Sequence, residues 1–208
     1  QIDLLNSCIN RIKQFTPFEY DLIIVDDASD PPYKIDGATI VRMPRRSNCC
    51  NLRNVGMEIA KTDWVFWLDN DTMVGAEWCR TLIEMIDKYP RLGLTGQMKD
   101  GQIIRKPFLP MTKEETMHDG QFLNMVKEDG ICDWINSYCV LVKKEAYRPI
   151  YCYGAPTPTV DPDLGAVVKI NDYEVRTVLH NIPIHHIGSQ TPRPEGKGYQ
   201  DHLVEIYT

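Results

Sequence analysis

Asp69 and Asp71 stand one residue apart, directly after the apolar run Trp64-Val-Phe-Trp-Leu. Two carboxylates on one tight turn can share a hard divalent cation. Mg²⁺ and Mn²⁺ take oxygen ligands and are usually held by one or two carboxylates together with substrate phosphates. Such a cation, bridging to a diphosphate, neutralises charge that builds on a leaving group. The plainer alternative is a turn with a helix cap, because Asp, Asn and Thr all cap well and a helical pattern begins a few residues on. The triplet alone favours the cap. A second acidic pair, Asp26-Asp27, ends another apolar run, residues 20–25, in the same way.

Both acid pairs need elements that deliver them to one place. Leu4, Leu5, Cys8, Ile9 and Ile12 recur at helical spacing. Strand-like runs follow at 20–25 and 39–43, then a helical pattern at 51–60 with Leu52, Val55, Ile59 and Ala60 on one face. Residues 64–68 read as a strand and 76–89 as a helix stopped by Pro90. Short strands are expected at 92–95 and 103–104. Apolar strands alternating with helices predict an α/β sandwich with a mainly parallel central sheet. Ligands bind such sheets outside the carboxyl ends of the strands, so both acid pairs should share one rim. The second half is less regular. A loop is expected at 106–113, a helix at 114–126, a strand at 138–142, a helix-like stretch at 143–147, a helix at 164–170, and strands at 174–179 and 182–187.

The chain has 208 residues, 43% of them hydrophobic, which suits one domain with a proper core. We divide it into a domain at 1–188 and a loop or mobile tail at 189–208, where Pro, Gly and charge accumulate. A formal charge of −6 argues against a nucleic-acid binder, which needs a basic footprint. No apolar run approaches a membrane span. The 7 cysteines include no CxxC pair, so they read as reduced, mostly buried thiols of a cytoplasmic protein.

Between the acid pairs lies Arg53-Asn54-Val55-Gly56, at the start of a helix. Three stretches together resemble the family 2 glycosyltransferases, which have the GT-A (Rossmann-like) fold. Ile23-Ile24-Val25-Asp26-Asp27-Ala28-Ser29 is similar to the family's VVDDGS strand end. Leu52-Arg53-Asn54-Val55-Gly56 is similar to its ARNxG helix, and Phe66-Trp67-Leu68-Asp69-Asn70-Asp71 to its FLDxD. Order and spacing match over roughly the first half of the chain, about residues 1–100, which the resemblance makes the nucleotide-binding half. Residues 101–188 would then hold the acceptor and the catalytic base.

The resemblance implies roles residue by residue. Asp27, with Asp26 beside it, would contact the base of a nucleotide-sugar. Arg53 would help hold the nucleotide, although a surface ion pair is the plainer reading. Asp69 and Asn70 would lie on the nucleotide side, Asp69 at the ribose. Asp71, with Asp69, would hold Mn²⁺ or Mg²⁺. The family's catalytic acid sits in an ED element. Here the matching stretch is Val160-Asp161-Pro162-Asp163-Leu164-Gly165, with Val160 in place of the Glu. Asp161 is thereby assigned the base, Asp163 is the runner-up, and helix N-capping is the alternative for both. His186, in a stretch similar to the family's HxxGxS, is the further candidate metal ligand. In a strand His185 would point to the opposite face.

The expected activity is metal-dependent, inverting transfer of a sugar from a nucleotide-diphosphate sugar to a hydroxyl of a glycan or glycoconjugate. A UDP-sugar is favoured, with dTDP and GDP as alternatives. The rivals are a non-catalytic nucleotide-sugar or glycan binding domain and a sugar nucleotidyltransferase. Trp134 and Tyr138 read as core, whereas the aromatic, Pro-rich loop from Tyr151 through Tyr153 suits an acceptor, because aromatic faces match sugar C–H surfaces. The family's usual first strand is not seen before Gln1-Ile-Asp-Leu-Leu, so the sheet is expected to lack one buried strand. The domain is also expected to be part of a larger multidomain enzyme, attached peripherally to a membrane, if at all, through other parts.

Overall fold

The computed structural model describes residues 2–97, 130–151, 160–178 and 182–187, and the backbone of 203–207. Helix α1 (Ile2–Phe15) buries Leu5, Cys8, Ile9 and Ile12, the positions its periodicity predicts. Strands β1 (Asp21–Asp26) and β2 (Thr39–Arg42) follow, then α2 (Cys49–Ile59), β3 (Trp64–Asp69), β4 (Thr72–Val74), α3 (Arg80–Lys88) and β5 (Leu92–Gly96). After the undescribed 98–129 come β6 (Cys139–Lys143), a 3-10 turn (Lys144–Ala146), α4 (Val160–Ile170), β7 (Glu174–Thr177), β8 (Ile184–His186) and β9 (Leu203–Tyr207). The strand expected at 103–104, the loop at 106–113, the helix at 114–126 and Tyr153 lie outside the described residues.

The main sheet has seven strands in the order β2-β1-β9-β3-β6-β5-β7. β2, β1, β3, β5 and β7 run one way, and β9 and β6 run against them. Alternate residues of each strand enter opposite layers, as strand geometry requires. Ile23, Val25, Val65 and Trp67 pack with α2 and α4, through Leu52, Met57, Leu164 and Val168. Leu22, Ile24, Phe66 and Leu68 pack with α1 and α3, through Leu5, Ile9, Ile12 and Leu82. Both sheet faces are covered, which is why these strands read as unbroken apolar runs.

Two expectations are corrected. The sheet has no gap where a first strand was thought missing: β9 lies there, antiparallel to β1 on one side and β3 on the other. The segment 189–208 is therefore not loop or tail throughout, since its residues 203–207 satisfy backbone groups at the centre of the sheet. Cysteine usage also differs. Cys8, Cys49, Cys79, Cys132 and Cys139 are buried, reduced thiols, as expected, but Cys50 is disulfide-bonded.

Helix α4 starts at Val160, earlier than the expected 164, so Asp161 and Asp163 occupy its first turn. Its approach to the segment before β6 depends on Gly165. A Cβ there would stand 2.2 Å from the Asp133 carbonyl oxygen and 3.0 Å from Trp134 Cα. Both are backbone atoms that cannot rotate away. Gly165→Ala is expected to push α4 outward and cost about 1–3 kcal/mol, the usual range for overpacking. A thermal melt reads this directly, and an unchanged midpoint would show that the contact is soft.

Candidate active site

The acid turn sits where β3 leaves the sheet. β4 begins just after it and pairs antiparallel with β8, matching Thr72 with His186, Met73 with His185 and Val74 with Ile184. This small second sheet was not legible in the sequence. Its register selects between the two histidines: His186 is half-buried beside the acids, and His185 is exposed on the other face. His186 Nε2 lies 3.1 Å from Asp71 Oδ1 and 3.6 Å from Asp69 Oδ2. One ligand atom from each of Asp69, Asp71 and His186 falls within 4.8 Å of the others. Two carboxylates and an imidazole at this spacing form a donor set for a divalent cation.

Asp69 divides its two oxygens. Oδ2 faces His186, while Oδ1 accepts a hydrogen bond from Arg53 Nη2 at 3.0 Å. Arg53 is not at the surface, contrary to the plainer reading of it. Its side chain is 4% exposed, its guanidinium lies over the Trp67 ring at 5.0 Å, and it faces the site from the first half of α2. Asn70, between the two acids, is buried. Beneath the turn, Cys8 Sγ lies 3.8 Å from the Asp69 carbonyl oxygen. Burial, followed by the charges of Asp71 and Asp69, pushes its thiol up to about 12, so Cys8 packs as a neutral group.

The acids that end β1 are buried. Asp26 accepts from Arg42 Nη1 through Oδ2 at 2.9 Å and from the Ser29 N–H through Oδ1, also at 2.9 Å. Both oxygens are thus engaged in an ion pair and a turn. Asp27 Oδ1 accepts from the Ser47 N–H at 2.6 Å, tying the end of β1 to the residues that open α2. Asn48 caps that helix, its side chain accepting from the Asn51 N–H.

Asp161 reaches the same rim from α4. Its Oδ1 accepts from the Ser137 N–H at 3.1 Å and from the Ser137 hydroxyl. Its Oδ2 has a long contact, 3.5 Å, with Asn136 Nδ2. Burial pushes the Asp161 carboxyl above its ordinary value, while Ser137's hydrogen bonds and the Arg53 charge pull the other way. Asp163, the runner-up, is two residues on and half-buried.

Three further residues organise the site, and Ser137 among them carries no sequence signal of its own. Asn54 holds the Ile150 backbone with both ends of its amide, accepting from the N–H at 3.0 Å and donating to the carbonyl at 2.8 Å. It thereby fixes the start of the stretch that leads to Asp161. Ser137 bridges Arg53 and Asp161. Tyr138 is buried, as expected of core, yet its carbonyl accepts from the Asp69 N–H at 2.9 Å and from Thr72 Oγ1 at 3.1 Å. Its ring stacks on that of His186, with centroids 4.7 Å apart and planes 8° apart. Tyr138→Leu removes the flat surface that holds the imidazole. It is expected to weaken Mn²⁺ binding about tenfold, the scale for outer-shell support of a metal ligand. Tyr138→Phe keeps the stack and should match the parent in the same titration.

A family model described as glycosyl transferase family 2 matches residues 2–150. An uncharacterized glycosyltransferase of Haemophilus influenzae is 24% identical over 110 residues, which cover 50% of this chain and 37% of that relative. The chain thus spans little more than a third of the relative's length. Among solved structures, a GalNAc-T7 with UDP, GalNAc and Mn²⁺ superposes with a TM-score of 0.63 at 14% identity, covering 97% of this chain and 44% of that one. The mannosyltransferase PcManGT of Pyrobaculum calidifontis, in complex with GDP-Man and Mn²⁺, gives 0.63 at 13% identity, with 91% and 55% coverage. S. aureus TarS 1-349 gives 0.61 at 13% identity, with 88% and 56% coverage. These likenesses establish the α/β fold as that of GT-A glycosyltransferases, and the family match settles the membership. The chain belongs to glycosyl transferase family 2.

Proposed function

We propose that this domain catalyses metal-dependent, inverting transfer of a sugar from a nucleotide-diphosphate sugar to a hydroxyl of a glycan or glycoconjugate. The observation that carries the reading is the convergence of Asp69, Asp71 and His186 on one point, with Arg53 linking that point toward Asp161. Two of the structural neighbours hold Mn²⁺ together with a nucleotide or nucleotide sugar, which supports the choice of cation and donor class.

The donor set fits a divalent cation on its own chemistry: oxygen, oxygen and imidazole nitrogen, with Asp69 oriented by Arg53. When bound, that cation supplies charge neutralisation at the departing diphosphate. Asp71, Asp69 and His186 would hold it. Arg53 adds a fixed positive charge on the nucleotide side, and Asp27 and Asn70 line the nucleoside end. Asp26 is spent on Arg42 and Ser29, so it shapes the turn that presents Asp27. Asp161 Oδ2 takes the proton from the acceptor hydroxyl as that oxygen bonds to the anomeric carbon and the bond to the diphosphate oxygen breaks. A single displacement of this kind inverts the configuration. Tyr151 would offer its ring to the acceptor, a reading supported by its 56% exposure.

No described helix is long and apolar enough to cross a membrane. A UDP donor and an acceptor half following the nucleotide half remain part of the proposal, as does membership of a larger enzyme. Calorimetric titration of UDP, with GDP and dTDP as controls, with and without Mn²⁺, tests it. Metal-dependent binding of one nucleotide is the expected result. Absence of binding by all three to folded protein would reduce the acid turn to a connection between β3 and β4.

A further inference from the structure

Ser137 immediately precedes β6 by two residues and is buried where α2 and α4 meet the rim. Its polar atoms address two charged side chains. Arg53 Nη1 donates to the Ser137 hydroxyl oxygen, and Arg53 Nη2 donates to the Ser137 carbonyl at 3.1 Å. The Ser137 N–H and hydroxyl both donate to Asp161 Oδ1. The direction of this chain is fixed by chemistry. A guanidinium only donates, so the one hydroxyl proton of Ser137 is left for the carboxylate. The hydroxyl therefore accepts from a cation and donates to an anion, a polarised arrangement that strengthens both bonds. Because Arg53 Nη2 also reaches Asp69 Oδ1, the serine connects Asp161 to the acid turn across α2.

We propose that Ser137 is a positioning residue for the transfer reaction: it holds Asp161 Oδ1 so that Oδ2 is the oxygen presented to the acceptor, and it keeps Asp161 in register with the Arg53–Asp69 pair. The proposal rests on the glycosyltransferase reading given above. Two asymmetries support it. Both Ser137 donors converge on Oδ1, and Oδ2 keeps the long amide contact with Asn136. Among the described residues, Arg53 of α2 is the charged group facing Asp161, Asp163 is the nearest acid on its own helix, and the neighbours preceding β6, Ser137 and Asn136, are neutral. Removing the hydroxyl takes away a bond that favours the ionised carboxylate, so the Asp161 midpoint moves upward.

The test uses Ser137→Ala, with Ser137→Thr as the conservative variant, in the full chain. Asp161 is followed by carboxyl-carbon NMR in aspartate-labelled protein, which needs no substrate. The pH profile of UDP-glucose and GDP-mannose turnover is then measured beside it, together with Mn²⁺-dependent UDP binding. Ser137→Ala is expected to raise the Asp161 midpoint, to raise the acid limb of kcat/KM in parallel and to lower kcat about 10- to 100-fold, the scale of one hydrogen bond to a charged group. UDP binding should stay near the parent value, and Ser137→Thr should restore both pH readouts. An unmoved Asp161 midpoint overturns the positioning role while leaving the transferase reading standing. A shifted midpoint with an unshifted acid limb removes Asp161 as the base, and the proposal falls with it. Absence of nucleotide binding by the parent protein overturns the transferase reading itself.

Discussion

Asp161→Asn is expected to lower sugar transfer by about 10²- to 10⁴-fold, the range for loss of a positioned general base. The side chains are nearly the same size, and an amide oxygen can still accept from the Ser137 N–H and hydroxyl, so the local geometry survives. What is lost is proton affinity at the second oxygen. Stability gives an independent readout. Burial raises the folded-state pKa of Asp161 above its ordinary value of 3.8, so the protonated form is the one the fold favours. Its contribution to stability is therefore full below that ordinary value and is lost as pH rises through the folded-state midpoint. At neutral pH the ionised carboxylate is a cost, and Asp161→Asn should leave the melting temperature unchanged or raise it. Loss of activity with such a melt is the mark of a group kept for chemistry. Retained activity would transfer the role to Asp163 or end the reading. The same pKa direction predicts that the acid limb of the parent pH profile lies above the range of an ordinary aspartate.

Asp71→Ala should abolish metal-dependent nucleotide binding. Changes to residues that merely support a metal ligand cost about 10–100-fold in affinity, so loss of a ligand should exceed about a hundredfold. Asp71 is well placed for a clean experiment. Its side chain is 13% exposed, at the edge of the acid turn rather than in the core, and it faces His186 at 3.1 Å. Asp69→Ala would be harder to interpret, because it also strips Arg53 of its carboxylate partner and leaves a buried charge less compensated. Manganese titration followed by electron paramagnetic resonance reports the loss without any assumption about donor sugar. Full Mn²⁺ affinity in Asp71→Ala would leave the turn as a plain connection between β3 and β4.

The order of strands and helices, and the acids at their ends, were legible from the chain's local pattern. Each rests on a local signal: an apolar run, a helical spacing, a charged residue where a strand stops. α1, β1, β2, α2, β3, β5 and β6 form at or within a residue or two of their expected positions for that reason. The segments also carried enough pattern to indicate the family and to nominate Asp69, Asp71 and His186 as neighbours. The tertiary structure decided matters that depend on pairing between distant residues. Arg53 and Ser137 are 84 positions apart, and β6 brings Ser137 and Tyr138 to the carboxyl end of β3 because it runs against that strand, with Cys139 opposite Leu68. No periodicity encodes that direction. The pairing of β4 with β8 chose His186 over His185, since a shift of one residue would exchange their faces. Burial alone turned Arg53 from a surface charge into the guanidinium between Asp69 and Ser137. β9 filled the sheet between β1 and β3 from the far end of the chain, a placement set by unsatisfied backbone groups on two strands rather than by anything in its immediate neighbours.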